Sequence, residues 1–249
     1  MLLLGARHST LQYWQMTRIT RKIIAQQALQ YVKDHRKELF TMFTKGYKES
    51  HPEKPLSIFL AGSPGAGKTE YAQSIVDLGP ALLRIEADAI REWLPMYTGS
   101  NSDVVQQAAS RGVDFLYDHA LKQGVSIVLD STFTPYAIAR QNVQRSLKRG
   151  RTVQLHYIYQ DPLAAWAFVK KREVVEGRLV PREAFIHKFF EAYENVGRIK
   201  QEFKEQVELT VIVRNYVSQE KQFFAVAPSL ECIMKIPYAE KQLRNVLPR

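Results

Sequence analysis

Eight consecutive residues, Gly62-Ser63-Pro64-Gly65-Ala66-Gly67-Lys68-Thr69, follow the spacing G-x-x-x-x-G-K-[ST]. That pattern suits the gripping of a polyphosphate. Glycines reach backbone conformations closed to other residues, so successive N–H groups can turn toward phosphate oxygens. A helix starting at the end of the loop adds the positive end of its dipole. All eight residues are therefore expected to bind a nucleotide, with Lys68 reaching the β- and γ-phosphates and Thr69 holding Mg²⁺. ATP and Mg²⁺ are the expected cofactors. A second pattern, Val128-Leu129-Asp130, ends an apolar run. Asp130 is expected to bind Mg²⁺ directly or through water; the alternative is an Asp that caps a turn.

The chain has neither an N-K-x-D guanine motif nor an L-S-G-G-Q signature, which points away from GTPases and transport ATPases and toward kinases of small substrates. Such enzymes need an acid beside the acceptor hydroxyl and arginines that neutralise the transferring phosphoryl group. Asp88, within Arg84-Ile85-Glu86-Ala87-Asp88-Ala89-Ile90-Arg91, follows the second predicted strand. In a parallel sheet, ligands sit at the carboxyl ends of the strands, which faces this acid toward the phosphate loop. Asp88 is equally suited to cap the helix after it, and capping does not exclude catalysis. Arg172 and Arg178 flank Glu173-Val174-Val175-Glu176-Gly177, a break between two helices. Arginines there could swing onto phosphates; the plainer reading is a solvated helix end shared with Lys170 and Lys171.

The elements that must position these residues follow from periodicity. Residues 18–50 carry Ile19, Ile23, Ala28, Leu29, Val32, Leu39, Phe40 and Phe43 near period 3.6 and read as helix, closed by Gly46, Pro52 and Pro55. Strands are expected at Leu56–Ala61, Ala81–Ile85, Val125–Leu129, Val153–Tyr159 and Val207–Val213, and more weakly near Phe223–Val226. Helices are expected over residues 69–76, 103–122, 136–149, from Pro162 to about Glu176, from Pro181 to about 205, and at the C-terminus. Strands that alternate with helices imply parallel pairing, and strands apolar throughout imply burial on both faces. The expectation is an α/β P-loop NTPase of the nucleoside- or shikimate-kinase kind. Its mostly parallel central sheet has helices on both faces. Residues 1–50 are expected as a helical extension and residues 51–249 as the kinase domain.

Composition bounds the rest. The 249 residues are 45% hydrophobic and 24% charged, ordinary for a globular chain and too apolar for a disordered one. Cys232 is the one cysteine, so an intrachain disulfide or a cysteine zinc site is ruled out and a reducing cytoplasm is the expected location. No apolar run approaches the roughly 18 residues of a membrane span, so no membrane partner is expected. Leu2, Leu3 and Leu4 are too few for a signal peptide, and Met16 is an alternative start. Net charge is +10, and residues 1–50 hold nine Lys or Arg against three Asp or Glu. Arg140, Arg145, Lys148, Arg149 and Arg151 add a second basic stretch. Solvated helix faces explain both; an anionic substrate, nucleic acid or an acidic partner would use them.

Taken in order, the long N-terminal helix, AGSPGAGKTE, IEADAIREWLP with Asp88, IVLDST, and REVVEGRLVP with Arg172 and Arg178 resemble the zeta toxin family of P-loop kinases over about residues 20–190. The Asp88 segment and the paired-arginine segment are the discriminating parts. The resemblance implies ATP-dependent phosphorylation of the 3′-hydroxyl on the sugar of UDP-N-acetylglucosamine. It implies Asp88 as base, Arg172 and Arg178 as stabilisers of transferred charge, and Glu86, Asp88, Arg91 and Thr132 at the substrate. It also implies a small antitoxin that covers the ATP site. The chain departs from the family pattern in three places. Asp130-Ser131-Thr132 stands where Glu-Gly-Thr is common, Phe133-Thr134 where Gly-Arg often follows, and the stretch between Arg172 and Arg178 is shorter. These changes fall in the expected substrate wall and point to a shifted sugar preference.

Two other readings remain. The basic faces suit a nucleotide or nucleic-acid-end kinase, although nucleic acid is not the favoured partner; a P-loop module whose output is partner binding would need neither Asp88 nor the arginines. His8, His35, His51, His119, His156 and His187 lack metal-ligand spacing. Cys232 reads as a small apolar packer. Trp93 and Trp166 read as core, with Trp93 and Tyr97 alternatively stacking on a base or sugar.

Overall fold

The apolar runs close into one sheet whose inner strands, Leu56–Ala61 and Ile127–Asp130, are buried almost throughout, whereas Leu83–Glu86 alternates buried and half-buried residues and is not apolar throughout as expected. In the computed structural model, which describes residues 4–45, 53–78, 82–177, 179–215, 220–224 and 227–248, the strands are β1 (Leu56–Ala61), β2 (Leu83–Glu86), β3 (Ile127–Asp130), β4 (Thr152–Gln160), β5 (Val207–Asn215) and β6 (Glu220–Phe224). Their order is β2-β3-β1-β4-β5-β6. The first five are parallel, and β6 pairs antiparallel on the outside of β5. β1 lies between β3 and β4, so the chain order reverses there and a crevice opens at the carboxyl ends.

The first five strands start and stop within a residue or two of expectation where they are described, and β6 starts three residues before the expected Phe223. β3 begins at Ile127, because Gly124 takes a φ of +67° and Val125 donates its N–H to Ala120 O at 3.0 Å, closing the preceding helix. Gly46, Pro52, Gly79, Pro80, Ala81, Ala225 and Val226 lie outside the described residues. The expected helix over 18–50 is two helices, α1 (Leu4–Asp34) and α2 (Arg36–Thr44), with a turn at His35 through which the backbone ladder continues. The remaining helices are α3 (Lys68–Leu78), α4 (Ala87–Trp93), α5 (Gln106–Gln123), α6 (Tyr136–Leu147), α7 (Pro162–Glu176), α8 (Arg182–Phe203) and α9 (Glu240–Val246).

The chain divides into two compact units, residues 1–43 with 87–116, and residues 44–86 with 117–249. The first is helical. Ala28, Val32, Leu39, Ile90, Leu94, Val105, Ala108 and Ala109 are buried within it. Gly112 lets α5 approach α4 closely: a Cβ there would come within 2.8 Å of Ile90 Cγ2. Arg36 and Arg111 lie over the Phe115 ring at 4.5 and 4.4 Å. Trp93 packs against Tyr31, with ring centroids 5.1 Å apart.

The second unit holds the sheet. Ile58, Leu60, Val128, Ile158 and Ile212 from four strands bury against Ala66, Tyr71 and Ala72, which seats α3 on the sheet. A second cluster, Ala165, Trp166, Val169, Phe185, Ile186, Phe189, Leu243 and Leu247, joins α7, α8 and α9. Asp161 caps α7 by accepting from Leu163 N and Ala164 N, and Gly177 ends it with a φ of +68°. At the amino edge of the sheet, the buried guanidinium of Arg151 donates to Ser57 Oγ (2.6 Å), Leu56 O (2.8 Å) and Val125 O (2.6 Å). Ser146 Oγ continues this network to Ser57 and Tyr117.

Candidate active site

At the end of β1 the chain enters the glycine loop. Gly62, Gly65 and Gly67 take φ values of +147°, +75° and +85°. Space is as restrictive as conformation. A Cβ on Gly62 would meet Ile158 O at 2.4 Å, and one on Gly65 would meet Ala165 O at 2.2 Å. β4 and α7 thus hold the loop from two sides. Ala66 is fully buried and donates its N–H to Ser63 O at 3.2 Å. Lys68 opens α3, and its Nζ donates to Gly62 O (3.0 Å) and Ser63 O (2.7 Å), folding the ammonium over the loop. Thr69 follows in the first turn, exposed. This is the arrangement of a phosphate cradle: backbone donors, a helix N-terminus and a cation at one end of the sheet.

Two strand ends deliver further charge. On β3, Asp130 ends the strand with its side chain 7% exposed. It pairs in register with Glu86 of β2. Arg84 Nη2 donates to Glu86 Oε2 at 2.6 Å and to Asp130 Oδ2 at 3.2 Å, while its Nη1 reaches Gln73 Oε1 of α3 at 3.3 Å. Ser131 donates to Leu60 O at 3.4 Å, tying the residue after Asp130 to the strand that feeds the loop. Thr132 and Thr134 share a hydrogen bond of 2.8 Å between their hydroxyls. Phe133 between them is buried with a φ of +62°, and Asn195 Nδ2 holds its carbonyl at 3.0 Å. At the end of β5, Arg214 is buried and donates from Nη1 to Gly67 O at 2.8 Å, with Glu70 at 3.9 Å. Burial pushes the Tyr71 phenol up to about 12, and the charge of Arg214 opposes that rise without cancelling it. Burial alone pulls His156, 3.0 Å from the Tyr71 hydroxyl, down to about 4.

The structure therefore gathers Gly62 to Thr69, Glu86, Asp130 and Thr132 at one edge of one unit. Arg172 lies in α7 before its last turn, about one turn beyond Val169, whose Cγ2 faces the position a Gly65 Cβ would take. Its side chain is exposed. Arg178 lies outside the described residues. Asp88 and Arg91 belong to the helical unit, in the first and last turns of α4. Arg91 is buried, its Nη1 ion-paired with Asp88 Oδ1 and its Nη2 donating to Gln106 Oε1 at 3.1 Å, so the guanidinium fixes the direction of the Asp88 carboxylate. Arg84 and Arg214 were not among the expected site residues. Each is an arginine next to apolar residues of a strand, Leu83 and Ile85 for Arg84 and Val211 to Val213 for Arg214, and that mismatch was the available signal.

The donors suit magnesium held together with a nucleotide. Thr69 and Asp130 offer hard oxygens, and among the described residues no group of three His, Cys, Asp or Glu could hold a metal ion by itself. Magnesium is commonly bound in that way, by one or two protein oxygens and the substrate phosphates.

The family description "Zeta toxin" matches residues 40–222. Among solved structures, a chain from the PezAT chromosomal toxin–antitoxin system of Streptococcus pneumoniae is similar with a TM-score of 0.60 at 17% identity, covering 86% of this chain and 85% of that one. A chain of the AvrRxo1-ORF1:-ORF2 complex with ATP is similar with a TM-score of 0.61 at 17% identity, covering 81% and 67%. At such identities the likeness is one of fold. No curated protein sequence matches the chain.

Proposed function

As the chain belongs to the zeta toxin family, a family of kinase-like phosphotransferases, we propose that it transfers the γ-phosphoryl group of ATP to a hydroxyl of a small nucleotide-activated sugar. The 3′-hydroxyl of UDP-N-acetylglucosamine is the acceptor that family membership favours. The observation that carries the reading is the glycine loop with Lys68 folded over it, locked between β4 and α7 at positions only glycine can occupy.

In this reading Gly62 to Thr69 bind the phosphates through backbone N–H groups, and Lys68 neutralises charge on the β- and γ-phosphates. Thr69 and Asp130 would hold Mg²⁺, which supplies charge neutralisation along the phosphate chain. Arg172 and Arg178 offset charge that builds on the transferring group. Asp88, steadied by Arg91, takes up the proton of the acceptor hydroxyl, and Glu86 and Thr132 contribute to the acceptor wall. Asp88→Asn is expected to keep ATP affinity within about twofold while transfer drops at least about a hundredfold. A collapse of ATP affinity with an unchanged rate on bound ATP would make Asp88 a structural residue instead.

A toxin–antitoxin system and a two-protein complex solved with ATP supply the similar folds. They support a protein partner for this chain, a small antitoxin, and use of ATP. Among the described residues no helix is long and apolar enough to cross a membrane. The test is ³¹P NMR of ATP and Mg²⁺ incubated with UDP-N-acetylglucosamine, with an oligoribonucleotide, or with neither. A new phosphomonoester signal only with the UDP-sugar is expected. Transfer to RNA ends with indifference to UDP-sugars would overturn the acceptor assignment.

A further inference from the structure

Glu86 and Asp130 emerge side by side from neighbouring parallel strands. Like charges placed so repel, more strongly where water is partly excluded. The side chains of Arg84, Glu86 and Asp130 are 18%, 22% and 7% exposed. One guanidinium nitrogen, Arg84 Nη2, serves both acids, at 2.6 Å to Glu86 and 3.2 Å to Asp130. The longer arm is the one to Asp130. The Nη1 arm reaches α3, the helix that begins with Lys68 and Thr69. Arg84 Nε is buried and makes no hydrogen bond among the described residues. The guanidinium is thus held by its two terminal nitrogens, with one of its carboxylate contacts aimed at the acid assigned to magnesium.

A divalent cation on Asp130 would lie within a few ångströms of this guanidinium. The two cations would share one carboxylate and repel each other. We propose that Arg84 is a positioning residue that competes with magnesium for the Asp130 carboxylate and so sets how tightly the nucleotide-bound enzyme takes up the ion. The proposal rests on the assignment of Asp130 to magnesium. Arg84 keeps the two acids apart in direction and charge. Ion binding draws Asp130 away from it and leaves Arg84 on Glu86.

The competition predicts a sign opposite to ordinary damage at a site. Arg84→Gln removes the competing charge, leaves Glu86 and Asp130 unbalanced, and keeps an amide able to reach either. Mg²⁺ is titrated calorimetrically into the full chain saturated with a non-hydrolysable ATP analogue. Arg84→Gln should lower the half-saturating Mg²⁺ concentration about three- to tenfold. Glu86→Gln, which releases Arg84 wholly to Asp130, should raise it by a similar factor. Arg84→Lys, which keeps a cation, should stay within about twofold of the parent, and Arg149→Gln, at a cation remote from this site, should not move it. A purely structural role for Arg84 would lower the melting temperature of both charge variants without moving the titration in opposite directions. Unchanged or weakened Mg²⁺ uptake in Arg84→Gln, while Asp130→Asn weakens it, overturns the proposal alone. Uptake unaffected by Asp130→Asn overturns the magnesium assignment of Asp130 and the proposal with it. Should Arg84→Gln not fold, Glu86→Gln decides: failure to raise the half-saturating concentration overturns the competition.

Discussion

The two edges of the sheet bury cations for different ends. At the amino edge, Arg151 spends its donors on Ser57 Oγ and on the carbonyls of Leu56 and Val125. Lys200 does likewise, donating to Lys204 O and Val207 O at the entry to β5. Their acceptors are neutral, and the Ser57 hydroxyl that meets Arg151 is tied further to Ser146 and, through it, to Tyr117. At the carboxyl edge, Lys68 and Arg214 also bond carbonyls, but those of Gly62, Ser63 and Gly67, all in the glycine loop. Arg84 is shared between two acids there. A buried polar network rigidifies a fold, whereas cations gathered on a glycine loop at a helix N-terminus are placed for an anion. One edge is built to stay as it is and the other to exchange partners.

That contrast can be broken by substitution. Lys68→Ala should cost at least about a hundredfold in phosphoryl transfer while leaving the melting temperature nearly unchanged, because the ammonium acts on transition-state charge. Steady-state kinetics beside a thermal melt checks both halves, and near-parental turnover would remove Lys68 from catalysis. Arg151→Met should do the reverse: about 3 kcal/mol lost from unfolding in urea, since several buried acceptors lose their donor, with kcat per folded molecule unchanged. If kcat fell with stability, the two edges would be coupled and the division drawn above would fail.

Arg214 sharpens the comparison, being a buried cation like Arg151 but bonded to the loop. Arg214→Met should raise the KM for ATP about tenfold with a smaller effect on kcat, and Arg214→Lys should recover part of it, because a single donor to Gly67 O can be rebuilt by an ammonium. An effect confined to stability would move Arg214 into the company of Arg151. The smallest effect concerns His156, which lies on β4 between the edges. Its folded pKa of about 4 is below the ordinary 6.5. The unfolded chain therefore binds the extra proton first, and stability falls as pH drops from about 6.5 toward 4. The loss should be about 1 kcal/mol by pH 5.5, read from urea midpoints, and His156→Asn should flatten that part of the profile. A parent profile already flat over this range would mean that His156 takes a proton without cost.

Legibility in the sequence followed the range of the forces involved. The glycine loop could be read directly, because φ beyond +60° is a local demand that glycine meets best, as at Gly62 and Gly65; the close approach of Ile158 and Ala165 to those glycines is tertiary. The inner strands could be read because burial on both faces leaves apolar runs, as in Ile58 to Ala61. Their order could not. Nothing in the run Leu83 to Glu86 states that it lies beyond β3, two places from β1. The helix break at His35 was equally hidden, since no Pro or Gly marks it.

The chain by itself determined the phosphate cradle, the alternation of strand and helix, and the capping of α7 by Asp161 and Gly177, each a matter of neighbours in sequence. Only the tertiary structure decided what the arginines do. Arg84, Arg151 and Arg214 are alike as residue types, and their separate tasks come from which strand end they reach and what meets them there: two acids, neutral carbonyls, or the loop at Gly67. An arginine side chain spans several ångströms, so its partner is chosen by strand pairing and helix packing across dozens of residues, and that choice is not written in its neighbours.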